Sequence, residues 1–139
     1  MGDAFFLAGT CGKAPVVQGE KFWVYDPAGE MKAFGQIPNG IKTKVAHRKG
    51  EFEKPRGEWN TLELYTIGNS AVYVVNGKVV QVLRDLALAG HPSDKDPQPL
   101  SAGQLQLQCE GAEAYYRRVE IRPLTAYPAA IRTAAGFEP

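Results

Sequence analysis

The residues with the most chemical reach lie late in the chain. Positions 104–110 read QLQLQCE, so Gln104, Gln106, Gln108 and Glu110 alternate with Leu105, Leu107 and Cys109. Alternation at period two puts one set on each face of a strand. A carboxylate beside amides on the polar face, Glu110 with Gln106 and Gln108, suits general acid–base work on a hydroxylated ligand. A solvent-facing strand carries the same stripe, and the residue types alone leave both readings open. Arg117 follows within another strand-like run, where it could orient a carboxylate or simply pair with Glu113 or Glu63. His47 closes an earlier run and could act as a base or a metal ligand, or have no chemical role. Trp23 and Tyr25 share one face of the KFWVY segment, set either to stack on a ligand or to fill a core. Glu63 joins the candidates if its strand turns the polar face toward a cleft. The sequence holds no nucleophile–base pair, phosphate loop or zinc-ligand spacing.

These residues need a scaffold, and the clearest part of it is GEWNTLELYTIGNSAVYVVNGKVVQVL, positions 57–83. Three strand-like runs are separated by Gly68-Asn69 and by Asn76-Gly77, the second being the dipeptide that tolerates positive φ at both central positions of a hairpin turn. With two-residue loops, Leu62, Leu64, Ala71, Tyr73, Val75, Val80 and Val82 share one face, which we expect to form the core together with Leu105 and Leu107. The other face carries Thr61, Glu63, Tyr65, Val72, Val74 and Gln81 and reads as too polar for a second dry core. Upstream, 4–7, 16–17, 21–25, 31–34 and 41–47 read as strands. Asp26-Pro27-Ala28-Gly29 is a turn that returns 31–34 as the hairpin partner of 21–25. Downstream, 84–89 suggests a short helical turn, 89–102 a loop, 104–110 and 113–122 the last two strands, and 127–136 an Ala-rich helix opening on Pro128.

A chain of 139 residues forms one domain with a real core, and 15 Gly and 10 Pro between short β-rich runs favour an all-β sandwich or barrel. A net charge of +1 gives no electrostatic case for nucleic acid, and no apolar run approaches the ~20 residues of a membrane span. The opening MGDAFFLAGTC lacks a basic leading region, carries Asp3 and has too short an apolar run for an export signal; the compartment stays unassigned. Cys11 and Cys109 could pair under oxidising conditions, but Cys109 alternates in phase with Leu105 and Leu107 and reads as a buried free thiol.

Gly57-Glu58-Trp59-Asn60, Val75-Asn76-Gly77, Leu107-Gln108-Cys109-Glu110-Gly111 and Tyr116-Arg117 leading to Arg122-Pro123-Leu124 occur in one order. In that order and spacing the chain resembles the domain of unknown function 1080 family, the 3-keto-disaccharide hydrolase domain, over its carboxy-terminal portion. The resemblance implies a concanavalin A-like jelly-roll β-sandwich over 1–124, two antiparallel sheets followed by a tail at 125–139. It implies a hydrolase or lyase acting on a 3-keto-glycoside, or a carbohydrate-binding module that has kept only the sandwich. Such chemistry needs a base for the proton beside the ketone, an acid for the leaving oxygen, and donors or a divalent metal for the enolate. Glu110, Arg117 and His47 would fill the catalytic roles, while Gln106, Gln108, Trp23, Tyr25 and Glu63 would hold the carbohydrate. Members of the family usually carry further strands before the point matched by Met1. Their lack predicts an open sheet edge, and with it a homodimer sealed in part by Tyr127, Ile131 and Phe137.

Overall fold

The computed structural model describes residues 1–7, 9–35, 43–89, 96–109, 111 and 113–137. In chain order the elements are β1 (Ala4–Phe5), β2 (Thr10–Gln18), β3 (Trp23–Tyr25), β4 (Glu30–Gly35), β5 (Val45–Ala46), β6 (Leu62–Ile67), β7 (Ser70–Val75), β8 (Lys78–Leu88), β9 (Gln98–Pro99) and α1 (Ala129–Ala134). The protein is mostly β, with two antiparallel sheets and one short helix, the layering of a β-sandwich. The small sheet pairs β1 with β5. The large one runs β3-β2-β8-β7-β6, with β4 also on β2 and β9 also on β8.

The meander forms as its turns dictate. Ile67 pairs with Ser70 and Val75 with Lys78, so both loops hold two residues. Gly68 (φ 55°), Asn76 (φ 48°) and Gly77 (φ 76°) take the positive φ these turns demand. The Asn76 side chain also fixes the preceding loop, donating to Phe52 O at 2.7 Å and Asn60 Oδ1 at 2.8 Å.

Beyond the turns, β8 departs from expectation. It does not end in a helical turn at 84–89 but continues as strand to Leu88. Its first half pairs with β7, and its second half, from Arg84 through Asp85 with φ 51°, pairs with β2 and β9. A register shift opposite Tyr73 and Val74 inserts one extra residue, so Val82 lies across from Val72 and Gln81 from Tyr73. Val82 therefore leaves the face it was expected to share with Leu62, Leu64 and Tyr73.

Both faces of β7 and β8 are covered. On one, Ala71 and Leu83 pack with Ala14, Val16 and Phe34 and with Ala4, Phe6 and Ala46 of the small-sheet region. Gln81, fully buried there, donates from Nε2 to Ala46 O at 2.8 Å and so ties β5 to β8. On the other, Val72, Val74 and Val82 meet Tyr25 and Ala135, with Tyr127, Ile131 and Phe137 packed against them. The tail is what makes this second core dry, a cover that the polar reading of that face had not allowed for. Tyr127 stacks on Phe137 with ring centroids 4.8 Å apart, Ser70 Oγ lies 2.8 Å from Tyr127 Oη, and Arg84 donates to Gly136 O at 2.8 Å.

Strands β3 and β4 flank β2 on opposite edges, so the expected pairing of 31–34 with 21–25 is replaced by pairing of both with β2. The chain crosses from one edge to the other close against Val16. A Cβ on Gly29 would lie 2.5 Å from the Val16 carbonyl carbon and oxygen, which restricts this position to glycine.

The last two expected strands do not join the sheets. Residues 100–109, 111 and 113–124 lie outside every strand, and Leu105 and Leu107 are 60% and 47% exposed. Leu62 and Leu64, at the outer edge on β6, are 53% and 46% exposed, so four of the anticipated core residues lie on the surface. Alternation specifies two faces but supplies no partner strand, and the described residues provide none for this segment. Cys109 is exposed with it, and both cysteines are free thiols.

Candidate functional site: a cationic aromatic groove

Beside the β3 edge lies a groove of about 300 Å³ lined by Lys21, Phe22, Trp23, Thr43, Lys44, Val45 and His47. Its floor is set by backbone pairing. His47 N donates to Trp23 O at 2.9 Å and Tyr25 N donates to His47 O at 2.8 Å, so His47 continues β5 alongside β3. Phe22 packs its ring 4.3 Å from the imidazole, and Lys32 places its ammonium 4.2 Å over the Trp23 indole.

Asp3 stands behind His47. Its Oδ2 lies 3.7 Å from His47 Nδ1, too far for a hydrogen bond. Arg48 anchors this carboxylate, donating its backbone N–H to Oδ1 at 2.8 Å and its Nη1 to Oδ2 at 3.1 Å. Burial alone would push the Asp3 carboxyl up, but the Arg48 N–H, the guanidinium charge and its hydrogen bond together hold it below the usual carboxylate range. Asp3 is therefore a fixed negative charge at neutral pH. That charge faces the Nδ1 edge of the His47 ring.

Trp23 and His47 are the two anticipated site residues that this groove brings together. Tyr25, their expected companion, lies in the second core, because the tail covers its face of β3. Burial, reinforced by the Asp26 charge and opposed by Arg84, pushes its phenol up to about 12, and its hydroxyl has no hydrogen-bond partner among the described residues. A folded-state pKa above the unfolded value of ~10 gives stability that is complete below pH ~10 and is lost as pH rises toward about 12. Tyr25→Phe should remove that alkaline loss and, by deleting an unsatisfied buried hydroxyl, leave stability at pH 7 equal or higher by ~1 kcal/mol. Urea midpoints of both proteins at pH 7 and pH 11 measure it; a variant less stable at pH 7 would contradict this role.

The other candidates lie elsewhere. Glu63, on β6, accepts from Tyr65 Oη at 2.9 Å, and Arg117 sits 3.9 Å over the Trp59 ring, so neither forms the ion pair once considered. Gln106 and Gln108 are exposed on the segment outside the sheets. Glu110 lies outside the described residues. The sequence reading missed Lys21, Phe22, Lys32, Lys44 and Asp3; only the KF of KFWVY, next to Trp23, hinted at the first two. Among the described residues no cluster of three or more His, Cys, Asp or Glu is placed to hold a metal ion.

With a two-sheet β fold and an aromatic, histidine-bearing groove in place, the comparisons define the class. The family model described as the 3-keto-alpha-glucoside-1,2-lyase-like domain matches residues 11–122, and the chain belongs to that family. No curated protein and no solved structure matches it.

Proposed function

We propose that the protein cleaves a 3-keto-glycoside by elimination in the Trp23–His47 groove, with His47 as the base. The observation that carries this reading is His47 lining the groove with Asp3 fixed behind its Nδ1. The family description names a 1,2-lyase, and a ketone at C3 acidifies the hydrogen at C2. In this scheme Nε2 of His47 removes that proton and the electrons move into the C3 oxygen as an enolate. The enolate collapses to restore the ketone, forming the C1–C2 double bond as the C1–O bond breaks. The leaving oxygen takes up a proton from the imidazolium or from water. Lys44 and Lys21, which share the groove lining, are the charges available to the enolate oxygen.

The test is incubation with a 3-keto-α-glucoside in deuterated buffer. The expected result is an unsaturated keto sugar plus the free alcohol, with solvent deuterium entering C2 of recovered substrate. Binding without either product would support the second reading, a carbohydrate-binding module. That reading is favoured by one observation: Arg117, Glu63, Gln106 and Gln108 do not line the groove.

We also propose that two copies pair through the β6 edge, where Leu62 and Leu64 are exposed. Sedimentation at micromolar concentration should give the mass of a dimer, and a monomer would overturn the proposal.

A further inference from the structure

We infer that Phe22 is the positioning residue for His47: ring packing, with no hydrogen bond to the imidazole, sets the orientation this ring presents to the groove. The consequence for turnover rests on the elimination reading, whereas the geometry stands apart from it. A histidine ring turns about a soft torsion, because the bond from Cβ to a flat ring has broad minima. A hydrogen bond to one ring nitrogen is the common way to remove that freedom. In this groove the carboxylate behind the ring, Asp3, stands 3.7 Å from Nδ1 and gives both its oxygens to Arg48. Among the described residues no hydrogen bond reaches either nitrogen of His47.

What touches the ring is Phe22, with centroids 4.3 Å apart and planes inclined by 41°. Two rings that close leave the imidazole no room to swing toward the phenyl side. Main-chain bonds build the contact from both directions. Gln18 pairs with Trp23, which closes the loop 19–22 between β2 and β3, and Gly19 N donates to Phe22 O at 2.9 Å. The loop is tight, since a Cβ on Gly19 would lie 3.2 Å from that same oxygen. Immediately beyond it, His47 N donates to Trp23 O at 2.9 Å, and Val24 forms a parallel bridge with His47. The backbone therefore delivers the phenyl ring to the imidazole. Phe22 is itself 56% exposed, so its replacement takes little from the core.

The full chain is compared with Phe22→Leu, Phe22→Tyr and Asp3→Asn. Carbon relaxation of the His47 Cδ2–H and Cε1–H bonds gives the order parameter of the ring. Phe22→Leu should lower it from the rigid range to below ~0.6, while Phe22→Tyr and Asp3→Asn should leave it rigid. With a 3-keto-α-glucoside, Phe22→Leu should lower kcat ~10-fold and change KM less than ~2-fold, and Phe22→Tyr should restore kcat. A wandering base loses alignment with the substrate and not affinity for it. A ring as ordered in Phe22→Leu as in the parent would overturn the inference, and so would order lost in Asp3→Asn instead. A raised KM at unchanged kcat would also overturn it, since Phe22 would then be a binding wall only. No turnover by the parent would remove the elimination reading, and the order parameters alone would then decide whether Phe22 holds His47.

Discussion

A chain cut after Leu124 is expected to lose ~10 °C or more in melting temperature and its sharp near-ultraviolet signal. The cut removes Tyr127, Ile131 and Phe137, the residues that cover Val72, Val74, Val82 and Tyr25. It also removes the carbonyls of Ala135 and Gly136 that Arg84 binds at 3.3 and 2.8 Å. Stripping the cover from a buried apolar face is comparable to deleting a buried aromatic, ~3–5 kcal/mol. For a domain of this size that is a large share of the ~5–15 kcal/mol total. Circular dichroism melts of the two chains measure the effect. A truncated chain melting within a few degrees of the parent would show that the tail only rests on the sheet.

The second large effect is on turnover. With the proposed chemistry in operation, His47→Gln should lower kcat by ~10²–10⁴-fold, the usual contribution of a positioned base. Glutamine keeps a hydrogen-bonding side chain of similar reach but cannot take the C2 proton. Asp3→Asn should cost less, because it removes the carboxylate that faces Nδ1 while leaving the base in place. The melting temperature of His47→Gln should stay near the parent value, since the side chain is only half-buried and its structural bonds are made by the backbone. Undiminished turnover of a 3-keto-glucoside would remove His47 from the reaction.

Local signals were read well where a short stretch settles its own geometry. Asn76-Gly77 gave the hairpin, Asp26-Pro27-Ala28-Gly29 the turn, and Pro128 the start of α1. That Tyr127, Ile131 and Phe137 would dock was legible, because an apolar tail needs an apolar surface, but the face they cover was not. What escaped depended on distant partners. One inserted residue in β8 moved Val82 to the opposite face, and no periodicity announces a bulge. Leu105 and Leu107 alternate like core residues, but burial requires a neighbour that alternation does not name. The groove was half visible: Trp23 and His47 were named for chemistry, while Asp3 and Lys44 come close only once β1 and β5 have paired.

The strand shared between the two arms of the large sheet has a consequence for how the molecule comes apart. Because β8 pairs one half with β7 and the other with β2, it belongs to both arms, and losing it unpairs both. Amides in β7 and β8 should therefore exchange with solvent only through whole-molecule opening, all at one rate. Residues 101–109 and 113–124, which form no ladder, should exchange within the dead time of the experiment. The protein is in this sense a single cooperative unit with a passenger, and substitutions in the passenger will be nearly invisible to any measurement of global stability.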